Sequence, residues 1–320
     1  MSIFIILTPL QLYLAEILIK ELNKERVFFI VNIKLKDQTK KYLEKDILYI
    51  EEPDFQDSYK KKIKLLIKLY KQIKKINLTC EDLFIANDNN IYVQLLMKKI
   101  NYKNLFFYEE GGTLFYKIAY KNKKIKKYFL KFLKSILRVE NTTNILTSKD
   151  IKKAYVFFSE ELRKYNSKIK YVNLEKILIK YIPKIEEPQN KIDYILLTQP
   201  LTEDKLVKNN LEVEIIKKII LKDKKYLIKI HPREKEEKYS ELLKLPNVKF
   251  LSSKYKNVPY QTLHYELNPK GIITFFSSIL YTIPQINNDF ERVALVKELK
   301  NEKIIQSVEI MSKYIKIKIR

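Results

Sequence analysis

Glycine occurs three times in 320 residues, histidine twice, cysteine once and tryptophan never. Each scarcity removes candidates. A single cysteine, Cys80, excludes an internal disulfide framework and fits a reducing compartment. Lying between a helical and a strand-like segment, it reads as a small packing residue rather than a nucleophile. Two histidines and one cysteine leave no zinc-ligand spacing, and no metal is expected. There is no GxGxxG turn, no Walker loop and no HExxH, which disfavours redox dinucleotide enzymes and P-loop NTPases. No uncharged stretch approaches the ~20 residues of a spanning helix. The apolar start, Met1 to Gln11, is short and lacks a basic n-region and a small-residue cleavage site, so no signal peptide is expected. A cytoplasmic protein, or one held on a membrane face, is the expectation.

What is present fits a two-domain chain. The apolar fraction is 46%, enough for two cores of ordinary size. The formal net charge of +25 favours anionic partners. The lysines are spread along the chain, however, and there is no arginine-rich tail or RNP-type aromatic motif. Nucleic-acid binding therefore lacks a recognition element. Buried-strand patterns alternate with helical periodicity: strands at Ile3 to Leu7, Val27 to Ile33, Ile47 to Ile50, Leu83 to Ala86 and Leu105 to Tyr108, with helices at Leu10 to Leu22, Tyr59 to Ile76 and Ile91 to Lys99. Short strands at Asn144 to Thr147 and Ala154 to Phe158 follow a basic, aromatic stretch, Lys117 to Arg138, that reads as a solvated helix face or a membrane-surface segment. A second alternation begins at Tyr194 and ends in a mainly helical Glu291 to Ile317; a helix is expected at Lys235 to Leu243. The pattern predicts an α/β protein with mostly parallel, doubly wound sheets: a domain over residues 1–176, a linker over 177–190 and a domain over 191–320, two Rossmann-like halves facing across a cleft.

The scarce residues gather at predicted strand ends, where such sheets bind ligands. Glu109-Glu110-Gly111-Gly112 follows an aromatic strand; adjacent carboxylates there can supply a general base, and the paired glycines a tight turn beside a substrate. A loop of two solvated acids has the same spelling. His231-Pro232-Arg233-Glu234 ends another apolar run. An imidazole there can donate a hydrogen bond or proton to a phosphate, with Arg233 and Lys229 adding charge, or can simply be packed beneath a loop. Ser277-Ser278, after the Gly271 strand, suits either an anion site or a helix cap. Thr8-Pro9-Leu10-Gln11, Asn87-Asp88-Asn89-Asn90 and Thr198-Gln199-Pro200-Leu201 are weaker markers of the same kind.

The order of these motifs resembles bacterial sialyltransferases, which carry an acidic-acidic-glycine motif in the first domain and His-Pro and Ser motifs in the second. Here those are Glu109-Glu110-Gly111, His231-Pro232 and Ser277-Ser278. Thr8-Pro9-Leu10-Gln11 and Thr198-Gln199-Pro200-Leu201 are similar to motifs of glycosyltransferase family 52, which contains lipooligosaccharide sialyltransferases. The resemblance, from Thr8 to Ser278, implies a GT-B-like fold. It also implies a metal-independent, inverting transfer from CMP-sialic acid to a galactose-type hydroxyl of lipooligosaccharide or capsule, without a cofactor. Glu109 would be the base, oriented by Glu110, with Asp204 as the alternative. His231, Pro232, Arg233, Ser277, Ser278 and Gln199 would hold the nucleotide, while Thr8, Gln11, Asn89 and Gly111 would line the acceptor side. Related enzymes place a glutamate on the ribose where this chain has Gln261, and some family members transfer other sugars. A different nucleotide sugar, and a noncatalytic basic module binding membrane or nucleic acid, are the rival readings. The expected setting is the cytoplasmic face of the inner membrane, in peripheral contact; a homodimer is left open.

Overall fold

The computed structural model describes residues 1–52, 57–74, 78–87, 90–109, 150–157, 159–164, 166–181, 192–207, 210–256, 258–283, 289–313 and 315–320. The basic stretch from Lys117 to Arg138, the strand expected at Asn144 to Thr147 and most of the expected linker lie outside these residues. The chain divides into two compact units, Met1–Glu110 with Lys121–Lys180, and Gly111–Tyr120 with Tyr181–Arg320.

The first unit is built on seven parallel strands: β1 (Ser2–Ile6), β2 (Val27–Asn32), β3 (Ile47–Ile50), β4 (Thr79–Ile85), β5 (Asn101–Tyr108), β6 (Ile151–Val156) and β7 (Lys170–Asn173), in the order β3-β2-β1-β4-β5-β6-β7. Central strands of such a sheet are covered on both faces and need continuous apolar runs. Ile3 to Ile6 and Leu83 to Ile85 are accordingly buried throughout. Phe4 pairs in register with Phe84, and Phe84 with Phe106. Their rings stack across β1, β4 and β5 at centroid separations of 4.2 and 4.7 Å. Helix α1 (Pro9–Glu21) starts where Thr8 caps it and proline, which has no N–H to satisfy, takes a first-turn position. Helices α2 (Tyr59–Lys74), α3 (Ile91–Lys99), α4 (Ser159–Arg163) and α5 (Leu174–Lys180) follow. Helix α5 buries Leu174, Ile177 and Leu178, so it carries this unit's packing into the first residues of the expected linker.

The second unit holds β8 (Tyr194–Leu197), α6 (Leu211–Ile219), β9 (Tyr226–Lys229), β10 (Val248–Phe250), α7 (Tyr260–Leu267), β11 (Gly271–Thr274), α8 (Ile279–Thr282), β12 (Glu291–Ala294), α9 (Glu302–Ser312) and β13 (Lys318–Ile319). Its parallel sheet runs β10-β9-β8-β11-β12-β13. That is the doubly wound order in which the chain reverses direction between the first and fourth strands, here β8 and β11. Gly271 is required by close packing: a Cβ there would stand 2.7 Å from the Glu291 carbonyl oxygen and 3.0 Å from the Tyr194 ring.

Two expectations are corrected. Glu291 to Ile317 is not mainly helical: Glu291–Ala294 is a strand between β11 and β13, and the helix is confined to Glu302–Ser312. The run Arg292-Val293-Ala294-Leu295-Val296 is buried, and pairing on both sides decides its state over its ambiguous periodicity. Lys235 to Leu243 is not one helix but two 3-10 turns, Glu236–Tyr239 and Leu242–Lys244. The first turn delivers Lys238 and Tyr239 to the buried Glu234 carboxylate. No helix of the described residues is long and apolar enough to cross a membrane.

Candidate active site

In the second unit, three neighbouring strand ends are tied together by side chains. The Thr198 hydroxyl oxygen, just after β8, accepts the His231 N–H at 2.8 Å. The same hydroxyl donates to the Glu234 carboxylate. The next residue, Gln199, accepts the Phe276 N–H through Oε1 at 2.8 Å, fixing the loop that leads to Ser277 and Ser278. Thr274 at the end of β11 donates to the Leu197 carbonyl at 2.9 Å. His231 and Ser277 thus follow strands two steps apart, ~10 Å by sheet spacing, with Thr198-Gln199 between them. This is the carboxyl edge of the sheet, at its switch point. The structure therefore brings His231, Gln199, Ser277 and Ser278 together on one edge.

His231 is half-buried, and its Nδ1 accepts the Arg233 N–H at 3.2 Å. In the neutral ring the proton then sits on Nε2, which is left as a donor. Burial, reinforced by the positive charges of Arg233 and Lys229, pushes the imidazole down to about 4. It is an uncharged hydrogen-bond donor at neutral pH. Burial likewise pulls Lys229 down to about 8; its ammonium donates to the Lys256 carbonyl at 3.0 Å. Pro232 and Arg233 are exposed. Arg233 grips Asp204 with both arms, at 2.6 and 2.8 Å. Both Asp204 oxygens are therefore occupied by a guanidinium, which suits a positioning group rather than a base. Ser277 Oγ accepts the Ile279 N–H at 3.4 Å, a capping contact, but α8 is a single turn of four residues. A helix that short has little macrodipole, so any anion-binding capacity here rests on hydroxyls and individual N–H groups. Gln261 is buried, its amide nitrogen donating to Thr282 Oγ1 at 2.9 Å. His264 is a core residue, bonded to the Tyr260 hydroxyl at 3.1 Å and packed edge-on against Tyr265 and Phe290.

In the first unit Glu109 follows β5 and is fully buried. Its N–H donates to the Tyr155 carbonyl at 2.8 Å, and its Oε2 accepts the Phe157 N–H at 2.9 Å. Oε1 is buried without a hydrogen-bond partner. Desolvation, opposed by the Phe157 hydrogen bond, pushes the carboxyl up to about 8. A solvated loop acid has neither property. Thr8 and Gln11 serve α1: Thr8 Oγ1 accepts the Gln11 N–H at 3.2 Å, while Gln11, buried, accepts the Leu7 N–H through Oε1. Gln11 thus helps to cap the start of the helix. Glu110, Gly111 and Asn89 lie outside the described residues. Cys80 is buried and its thiol is pushed up to about 11 by burial, as a packing residue's would be.

A model of glycosyltransferase family 52 matches residues 16–299. The chain belongs to glycosyltransferase family 52. Its member here is 27% identical over 252 residues to an uncharacterised protein of Haemophilus influenzae, covering 73% of this chain and 76% of the other. In fold it is similar to a 2,6-sialyltransferase of Photobacterium sp. solved with CMP and lactose, with a TM-score of 0.59 and 12% identity, over 99% of this chain and 78% of that one. The GT-B domain of a Photobacterium damselae sialyltransferase gives 0.52 at 12% identity, over 97% of both chains. The family 52 chain is a glycosyltransferase with the GT-B fold.

Two residues of this site escape a motif-by-motif reading of the sequence, Thr198 and Glu234. Both stand inside quoted motifs, but only the fold shows that they form one relay. Glu234 is almost wholly buried and is held by Tyr239 (2.7 Å) and Lys238 (2.8 Å). Lys238 also binds Glu203 at 3.0 Å and Glu212 at 2.5 Å. Oxygens of these three acids lie within 4.8 Å of one another, a spacing that would suit a cation, and the Lys238 ammonium already sits among them as a shared counter-charge. Lys238→Met should lower stability by about 3–5 kcal/mol, because it leaves buried carboxylates facing each other uncompensated. A thermal melt should show a midpoint drop of roughly 10 °C, partly restored by adding Glu212→Gln. An unchanged midpoint would mean that the cluster contributes nothing to folding.

Proposed function

We propose that this family 52 chain is an inverting, metal-independent sialyltransferase that moves sialic acid from CMP-sialic acid to a galactose-type hydroxyl on lipooligosaccharide or capsule glycan. The observation that carries the reading is the strand-end array around His231: a neutral Nε2–H donor, its ring bonded through Nδ1 to Arg233 and its backbone held by Thr198, with Gln199 and the two serines beyond it. The departing group in this chemistry is a phosphate monoester, whose developing negative charge is stabilised by fixed donors and needs no proton. His231 therefore hydrogen-bonds the phosphate, Ser277 and Ser278 add hydroxyl donors, and Arg233, held by Asp204, supplies positive charge. Gln261 offers the ribose an uncharged acceptor. Glu109 takes the proton from the acceptor hydroxyl as that oxygen attacks the anomeric carbon opposite the nucleotide. The carbon–oxygen bond to the phosphate breaks, its electron pair leaves with CMP, and the configuration inverts. Support comes from the nucleotide and acceptor in the Photobacterium sp. complex, CMP and lactose. A lipid-linked acceptor places the enzyme in peripheral contact with the inner membrane.

Calorimetry with CMP, UMP and GMP tests the donor class. CMP should bind at least tenfold more tightly than UMP, and Ser277→Ala/Ser278→Ala should weaken both by about tenfold while leaving the preference, because the serines meet the phosphate the two nucleotides share. Equal binding of CMP and UMP would replace this reading with a glycosyltransferase of the same fold using another nucleotide sugar.

A further inference from the structure

We propose that helix α2 docks the protein on the surface of an anionic phospholipid bilayer. The helix carries seven lysines and no acidic residue in sixteen positions. Composition bias does not explain this, since α6 and α9 on the other unit mix both signs. Leu65, Leu66, Leu69 and Ile73 are buried and fix which side faces the core. The opposite side presents Lys60, Lys64, Ile67 and Lys71, spaced by four, three and four residues and therefore stacked in one stripe. Ile67 is 51% exposed in the middle of that stripe, with exposed Tyr70 beside it. Lysines flanking an outward isoleucine and tyrosine are the signature of a helix lying in a headgroup layer, with its apolar residues below the phosphates and its ammonium groups among them.

A second feature adjoins the stripe. Between α2 and the edge strand β3 lies a hollow of about 630 Å³, walled by Leu48, Ile50, Leu65 and Leu69, with exposed Lys71 and the Lys68–Glu51 ion pair (2.8 Å) among its lining. An apolar recess adjoining the lysine stripe matches an anionic amphiphile, and a soluble polyanion has no use for its apolar walls. The inference deepens the membrane contact proposed above but is independent of the donor sugar: its test reads lipid binding and not transfer.

The chain has no tryptophan, so Ile67→Trp installs a single fluorophore on the stripe. With vesicles of phosphatidylcholine containing one third phosphatidylglycerol, its emission should shift to the blue and be quenched by brominated acyl chains. Phosphatidylcholine alone should leave it unchanged. Neutralising Lys60, Lys64 and Lys71 together to glutamine should weaken partitioning by about two orders of magnitude, at roughly fivefold per lysine. Leu243→Trp, exposed on the second unit, is the control and should not shift. Vesicle binding with an unshifted Trp at position 67, an equal shift of the control, or the same blue shift with RNA or heparin would each overturn the proposal.

Discussion

Replacing His231 by alanine is expected to lower kcat/KM for CMP-sialic acid by about 10²–10³-fold, with most of the loss in kcat. The size is that of removing one preorganised donor from a developing oxyanion. The loss falls on kcat because the hydrogen bond strengthens as charge builds on the departing phosphate. Geometry also predicts the pH behaviour. The ring is held neutral by burial and by Arg233 and Lys229, with its transition near about 4. Activity should therefore show no ionisation near the ordinary histidine value in the wild type. An ordinary general acid would instead lose activity as pH rises through that range. His231→Gln restores an N–H donor and should recover part of the rate. Steady-state donor hydrolysis across pH reads all three effects. A His231→Ala enzyme with undiminished kcat would remove the imidazole from the reaction.

The relay beneath the imidazole explains why a sequence can spell this site without revealing it. His231 is conspicuous because the chain has only one other histidine, and proline after a strand predicts a turn. The strand itself, Tyr226–Lys229, is legible from its apolar run. What holds the His231 backbone is a threonine 33 residues upstream, itself bonded to a glutamate buried three residues downstream, while the ring is fixed by the Arg233 N–H on Nδ1. Polar residues are ordinarily read as solvated, and only the β9-β8-β11 adjacency turns Thr198 into a backbone acceptor for His231. The same limit acts on Asp204, which stands near the right motif and invites the role of base until Arg233 is seen to occupy both oxygens. At Gln11, a polar residue after a strand points to a ligand in the sequence, and its bond to the Leu7 N–H is visible only in the fold. Strands with both faces buried were readable throughout the first unit. Glu291–Ala294 was not, because a run of apolar residues among charges fits helix and strand alike until its neighbours are known.

Glu109→Gln is expected to separate the chemistry from the fold. Its carboxyl is fully buried and pushed up to about 8, whereas in an unfolded chain it ionises near its ordinary 4.5. Between those values the unfolded chain releases a proton that the folded one keeps. Stability therefore falls as pH climbs from about 4.5 to 8 and then levels off. Glutamine retains an acceptor for the Phe157 N–H and cannot ionise, so the variant should escape this loss. Urea unfolding at pH 5 and pH 8 should find the two proteins alike in acid and the variant more stable in base, by an amount of the order of a few kcal/mol. Activity should move the other way. A base must be ionised to accept the acceptor's proton, so wild-type kcat/KM should rise with pH toward about 8. The variant should lose that limb along with about 10²–10⁴ of its rate. One ionisation would then lower stability and raise activity over the same pH range, which a carboxylate with a purely structural task does not do. A variant that is stabilised in base yet fully active would keep Glu109 as a buried acid and send the search for the base elsewhere. Unaltered stability at both pH values would mean that the carboxyl is solvated after all.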